Sequence, residues 1–187
     1  MNLIRITIGI SFLFATFFVR CLSDQSAGAL VALDTKMLKK VTHQRLFSNN
    51  NAEDTFSLTM VGGKISAAQI SFTITNSKGE ILYEENFPSE ALIDYGILEI
   101  NEKPNEKDKE NYILKRMDTF FESRDFSTPA IKSNADYEAQ YSNKTIWNTL
   151  KDDTTAVGFD YLLYEESGHS IAYSKKLKKV VEYFNCC

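Results

Sequence analysis

The chain has 187 residues and a formal net charge of −4, and 43% of its residues are hydrophobic. That length suits one ordinary domain with a sizeable core and leaves too little chain for two. The mild acidity argues against a nucleic-acid-binding protein, which normally carries a basic surface, so no nucleic-acid partner is expected.

The first twenty residues predict an export signal. Arg5 precedes an uncharged, mostly apolar run over residues 6–19. A membrane-spanning helix needs about 20 apolar residues, whereas the core of a signal peptide has about 7–15. We therefore predict a signal peptide over residues 1–20, with a retained signal anchor as the alternative.

Cys21 stands directly behind the apolar run, at the place where a bacterial lipoprotein carries its lipidated cysteine. Arg20 departs from the small residue that such a processing site prefers. Two outcomes stay open: lipidation of Cys21, which would hold the protein on a membrane by its acyl chains, and soluble export after cleavage nearby. The predicted location is the cell envelope, membrane-anchored or periplasmic, with secretion as the alternative.

Residues 21–54 are predicted to be a tether and an N-terminal element. Within them, residues 29–47 fit either an amphipathic helix or a tether followed by a strand, and residues 48–54 read as a loop. Residues 55–87 then predict an antiparallel meander, because apolar residues alternate with hydroxyl residues. Residues of types that favour turns separate the strands of the meander at positions 62–63 and 76–79.

Helical elements follow the meander. Residues 89–95 predict short helical turns that end at Gly96, with a short strand over residues 97–100. Asn105 is a good N-cap for a helix over residues 106–123. Its apolar residues recur at helical spacing and would cover the meander: Ile113, Met117, Phe120 and Phe121.

The last part of the chain returns to strands. Asn143 is predicted to cap a helix. Residues 157–164 are predicted to form a strand, and residues 167–169 are predicted to form a turn. Residues 175–184 fit either a helix face or a continuing strand. The predicted class is α+β, with two or three helices on one face of an antiparallel sheet, forming a single globular domain over residues 55–187.

The terminal pair Cys186 and Cys187 carries the most reactive side chains in the sequence. The two thiols could bond to each other, bond to another molecule, or act as a redox or soft-metal pair. No Cys-x-x-Cys spacing is present, so a thioredoxin-type site is not supported.

The histidines and paired carboxylates give no catalytic or metal motif. His43 and His169 lack neighbours at ligand spacing, and we interpret His169, in the predicted turn, as a surface histidine. Pairs such as Glu84-Glu85 face opposite ways on a strand, so we interpret them as solvated surface. No cofactor and no metal are expected. Four aromatic residues are candidates to line a ligand cleft, with core packing as their alternative: Trp147, Tyr161, Tyr164 and Tyr173.

The export signal with Cys21 behind it, the Ile70-x-Phe72-x-Ile74 meander and the Cys186-Cys187 end together resemble small uncharacterised envelope lipoproteins of Bacteroidetes-type bacteria. The resemblance implies a location and carries over no activity. The predicted function is an exported, lipid-anchored binding or interaction module for an unknown protein or small molecule. The alternatives are a thiol-dependent enzyme or redox protein using the terminal cysteines, and a structural component of an envelope assembly.

Overall fold

The computed structural model describes residues 36–187. Four strands form the first sheet: β1 (Met37–Arg45), β2 (Asp54–Val61), β3 (Gln69–Thr75) and β4 (Ile81–Pro88). They pair in the order β1-β2-β3-β4, and every pair is antiparallel. The predicted meander is confirmed, and it gains β1 as a further strand.

The second sheet contains the remaining four strands of the described chain: β5 (Phe126–Ser127), β6 (Gly158–Leu163), β7 (Ser167–Ser174) and β8 (Lys179–Cys186). Their order is β5-β6-β7-β8, again antiparallel throughout. The α-helices are α1 (Gly96–Ile100), α2 (Glu106–Asp118) and α3 (Lys144–Lys151), and single 3₁₀ turns lie at Ile65–Ala67, Ser89–Leu92 and Ser123–Asp125. The α+β class is therefore confirmed.

The structure decides both segments that the sequence left open between helix and strand. β1 is a strand because Val41 pairs with Leu58 and His43 pairs with Phe56, which places alternate residues of β1 toward the core. The C-terminal segment is also a strand, β8, which pairs along β7.

The main core lies between the two sheets. Phe56 and Phe72 of the first sheet contact Phe159 of the second, with ring centroids 5.5 and 5.8 Å apart. Phe120 and Phe121, just after α2, are buried in the same cluster. The prediction that this helix covers the meander is confirmed, and the second sheet, which the sequence did not reveal, shares that task.

Two asparagine caps start the longer helices as predicted. The Asn105 side chain accepts the backbone N–H of Asp108 at 3.1 Å, and the Asp108 carboxylate accepts the backbone N–H of Asn105, which completes a capping box. Asn143 caps α3 by accepting the backbone N–H groups of Thr145 and Ile146 at 3.0 and 3.2 Å. α3 packs on the other face of the second sheet, where Trp147 and Leu150 belong to a smaller core.

The segment around Gly96 differs from the prediction. Gly96 begins α1 and does not end a helix, and the predicted strand over residues 97–100 is wrong, because those residues are helical. Asp94 accounts for the start of the helix: its carboxylate accepts the backbone N–H of Gly96 at 2.8 Å. A Cβ on residue 96 would lie 2.6 Å from the Tyr112 hydroxyl oxygen, so close packing explains the glycine.

Candidate functional site

A hydrogen-bonded network joins the two sheets at one end of the core. Tyr161 of β6 donates its hydroxyl proton to Glu85 Oε2 of β4 at 2.7 Å, and Tyr83 of β4 donates to the same oxygen at 3.1 Å. The two phenol oxygens are 3.0 Å apart. One carboxylate therefore holds side chains from both sheets in a fixed relation.

A histidine lies directly beside this network. His169 of β7 pairs with Tyr161 across the second sheet, and their rings stack with centroids 4.9 Å apart and planes 11° apart. His169 Nδ1 lies 2.7 Å from Glu182 Oε1, and Nε2 lies 3.2 Å from Ser167 Oγ. We call Tyr161, Ser167, His169 and Glu182 the histidine cluster.

The phenols of the network resist ionisation, because their pKa values are raised. Burial raises the pKa of Tyr161 far above its ordinary value, and the neighbouring Tyr83 and Glu85 raise it further. Burial likewise raises the pKa of Tyr83. Both hydroxyl groups therefore stay protonated over the physiological range and orient Glu85.

An open cleft lies beside the cluster. Its volume is about 360 Å³, and its lining includes Arg116 of α2, Asp160 of β6 and His169, so we call it the arginine cleft. Two further aspartates line it, Asp94 and Asp125. Its aromatic walls are Phe120, Tyr161 and Phe184.

The charged groups of the arginine cleft divide into a paired set and an open set. Arg116 Nε lies 3.2 Å from Asp94 Oδ2, close enough for an ion pair although not aligned for a hydrogen bond. Asp94 also accepts the hydroxyl proton of Tyr112. Burial raises the pKa of Asp125, and Asp160 is exposed. Asp125 accepts the backbone N–H of Glu122 at 3.2 Å and lies 3.9 Å from Arg124 Nε. Asp160 is therefore the carboxylate of the cleft that is most open to a ligand.

A second opening lies on the other side of Ser167. It has a volume of about 660 Å³ and is lined by Tyr95, Tyr164 and Ser167, and we call it the tyrosine cleft. Both tyrosines are 52% exposed, so the cleft offers apolar contact surface to solvent. Its remaining lining is mainly acidic: Glu90, Glu165 and Glu166, with Ile93 and Cys187.

The cysteines occupy different parts of the chain. Cys186 and Cys187 are bonded to each other as a vicinal disulfide, and Cys187 lines the tyrosine cleft. The signal peptide and the lipidation of Cys21 fall outside the described residues.

The four candidate cleft aromatics separate in the structure. Tyr161 lines the arginine cleft and Tyr164 lines the tyrosine cleft. Trp147 is buried in the smaller core, with its ring centroid 5.9 Å from that of Tyr137. Tyr173 is half-buried and packs against the main core.

Two predictions about polar residues are wrong. Ser167 and His169 lie in β7, while the turn before it is formed by residues 164–166, so His169 is no surface turn residue. Its side chain is only 12% exposed. Glu85 is not solvated surface either, because it accepts the hydroxyl protons of both tyrosines. A strand assignment for residues 167–169 would have placed Ser167 and His169 on one face.

Within residues 36–187, no group of three or more His, Cys, Asp and Glu side chains is placed to hold a metal ion. No helix among the same residues is long and apolar enough to cross a membrane. Comparisons of the chain with models of protein families, with curated proteins and with solved structures find no match.

Proposed function

We propose that this protein is an exported binding module, held at the cell envelope through Cys21, that takes a small organic cation in the arginine cleft. The observation that carries the proposal is the cleft itself, about 360 Å³ in volume, with ionisable and aromatic side chains converging on it. Small-molecule sites typically have volumes of about 300–1,000 Å³ and combine apolar walls with a few polar groups.

The charges of the arginine cleft favour a cation. Arg116 is the cleft's one Lys or Arg side chain among the described residues, and Asp94 already neutralises it. Asp125 and Asp160 are the other two aspartates of the cleft, and neither is paired with Arg116. Because burial raises the pKa of Asp125, that carboxyl lacks full compensation for its lost hydration, and a bound ammonium group would supply it.

The aromatic walls suit the same ligand. Phe120, Tyr161 and Phe184 line the cleft together with the carboxylates. The face of an aromatic ring attracts a cation within about 6 Å of its centroid. An anion would meet the carboxylates of Asp125 and Asp160 and an arginine already paired with Asp94, so anions are expected to bind poorly.

Binding is tested with 1,4-diaminobutane as the probe, measured by isothermal titration calorimetry at constant ionic strength, with sodium succinate as the anionic comparison. We expect the diamine to bind and succinate not to bind. Asp160→Asn should weaken diamine binding by roughly tenfold, because one charge-assisted contact is worth about 1.4 kcal/mol or more. Asp136→Asn, an exposed aspartate outside the cleft, is the matched control and should leave binding unchanged. Equal binding of diamine and succinate, or equal effects of the two variants, would contradict the proposal.

The anchor is tested separately by the intact mass of the protein from its native host. A lipid-anchored protein is expected to have the mass of residues 21–187 plus acyl groups, and to partition with membranes. A mass without lipid that begins near Cys21 would overturn the anchor and leave soluble export. An uncleaved chain would overturn the export signal.

A further inference from the structure

The histidine cluster has the connectivity of a nucleophile, a base and a carboxylate. Ser167 Oγ lies 3.2 Å from His169 Nε2, and His169 Nδ1 lies 2.7 Å from Glu182 Oε1. The residues come from two paired strands, β7 and β8. Such a constellation is recognised by geometry and roles and not by the order of its residues in the chain.

The partners of the imidazole fix its tautomer. The Glu182 carboxylate can only accept a hydrogen bond, so the Nδ1 atom of His169 carries the proton in that contact. Nε2 of neutral His169 then has a free lone pair and accepts the hydroxyl proton of Ser167. This is the arrangement that a serine nucleophile and its general base require.

The surroundings hold the ring and the carboxylate in place. Tyr161 stacks on His169 from one side, and its hydroxyl is fixed by Glu85 of the other sheet. Asn185 donates an amide proton to Glu182 Oε2 at 3.2 Å. The base is therefore oriented by contacts within the second sheet, and Tyr161 links that support to Glu85 of the first sheet.

Ser167, the nucleophile, lines the tyrosine cleft. None of the aspartates that line the arginine cleft lines this one. Ser167 lines the tyrosine cleft with Tyr95 and Tyr164, while Glu165 and Glu166 make its rim acidic. A substrate would meet aromatic surface next to the serine and negative charge around it. That lining favours an uncharged acyl ester over an anionic one.

We propose that Ser167, His169 and Glu182 form a hydrolytic site for uncharged carboxylic esters. Ser167 Oγ attacks the ester carbonyl carbon while His169 Nε2 takes the hydroxyl proton. The ester C–O bond then breaks, the alcohol leaves with the proton from His169, and Ser167 is acylated. A water molecule activated by His169 attacks the acyl group, which releases the carboxylic acid and restores the serine.

The roles of the three side chains differ. Ser167 and His169 touch the substrate or its reacting atoms. Glu182 acts through His169 and is a positioning residue: its charge stabilises the imidazolium that forms during each step. His169 also lines the arginine cleft, whereas Ser167 lines the tyrosine cleft, so the ester is expected to bind on the serine side of the relay.

The test uses the full exported chain with p-nitrophenyl acetate as substrate, and diisopropyl fluorophosphate as a covalent probe read by peptide mass. We expect a phosphoryl adduct on Ser167. Ser167→Ala should abolish the adduct and lower the hydrolysis rate by about 10²-fold or more, because the variant lacks the nucleophile that forms the acyl intermediate. Ser133→Ala, an exposed serine outside the cluster, should leave both unchanged. A wild-type rate in Ser167→Ala, or an adduct on another residue, would overturn the proposal.

Glu182→Gln tests the positioning role by a readout that a loss of packing would not move. Glu182→Gln keeps the shape of the side chain and removes its charge, so the rate should fall at least tenfold, and Glu182→Asp, which keeps the charge, should recover part of that loss. The other carboxylate near the stacked rings, Glu85, binds the Tyr161 and Tyr83 hydroxyls and is unchanged in these variants. A wild-type rate in Glu182→Gln, or no recovery in Glu182→Asp, would remove Glu182 from the relay. Ester hydrolysis is measured without diamine and diamine binding without ester, so failure of the cation site and failure of the ester site are distinguished.

Discussion

Replacing Phe56 with alanine is expected to lower the free energy of unfolding by about 3–5 kcal/mol, the usual cost of truncating a buried phenylalanine. Phe56 of β2 is fully buried, and its ring contacts Phe159 of the second sheet. Small domains are stable by only about 5–15 kcal/mol, so this one change removes a large fraction of the total.

The reason for the large effect is the number of rings that lose a partner. Phe56 lies edge-on to four of its five aromatic neighbours, an arrangement that adds to the free energy of area burial. The neighbours come from the loop after β1, from β3, from the segment after α2 and from the second sheet. They are Phe47, Phe72, Phe121, Phe126 and Phe159.

Urea denaturation followed by circular dichroism measures this prediction. Tyr95→Ala is the matched control, because it removes an aromatic ring that is 52% exposed and should change stability by no more than about 0.5 kcal/mol. Phe56→Leu should fall between the two, since it leaves a smaller cavity. If Phe56→Ala cost as little as Tyr95→Ala, the two sheets would not share one core.

Local patterns were sufficient to predict the elements whose cause is local. Alternation along Phe56, Leu58 and Met60 predicted β2, and Asn105 predicted the start of α2, because each signal acts within a few residues. Gly96 shows the limit of such signals. Glycine is common at helix ends, yet here its lack of a side chain allows the close approach of Tyr112, a residue that no local pattern connects to it.

The candidate site could not be predicted from the sequence for the same reason. Tyr161 and Glu85 are separated by 76 residues in the chain, and their contact depends on how the two sheets face each other. His169 and Glu182 are 13 residues apart on paired strands. The register of β7 and β8 brings them together, and the alternative helical interpretation of residues 175–184 left that register undefined. Only the Ser167-x-His169 spacing was a local signal.

Unfolding at alkaline pH is the second large effect, and it follows from the buried tyrosines. Burial raises the pKa of Tyr161 and Tyr183, and burial with the hydrogen bond to Asp94 raises the pKa of Tyr112 to about 12. All three side chains are buried. Their hydroxyls anchor them inside, to Glu85, to Ala130 O and to Asp94.

The direction follows from proton binding in the two states. In the unfolded chain a tyrosine loses its proton near pH 10, whereas in the folded chain these three keep theirs at higher pH. Above pH 10 the folded state therefore binds more protons, and stability falls as pH rises. The stabilisation that these raised pKa values give is fully present below about pH 10. It is lost as pH rises from there toward the pKa of each tyrosine in the folded state. Each such tyrosine contributes a slope of about 1.4 kcal/mol per pH unit, so three give on the order of 4 kcal/mol per pH unit.

Tyr161→Phe separates this effect from the titration of lysines at the same pH. The variant loses the hydrogen bond to Glu85 and should be less stable than wild type by about 1.5–3 kcal/mol between pH 7 and 9, the usual contribution of a hydrogen bond to a charged group. Above pH 10 the stability of the variant should fall less steeply than that of wild type. The two slopes should differ by about 1.4 kcal/mol per pH unit, because one titrating group is gone. The two stability curves should therefore converge as pH rises.

Urea denaturation at a series of pH values gives the two slopes, and absorbance at 295 nm follows tyrosinate formation directly. In wild type, ionisation of the buried tyrosines should coincide with the loss of circular dichroism, because the folded state cannot accommodate a charged phenolate beside Glu85 or Asp94. Parallel slopes for wild type and Tyr161→Phe would show that Tyr161 is not protected by the fold. In that case the hydrogen bond between Tyr161 and Glu85 would not join the two sheets, and the stacked support of His169 would be lost with it.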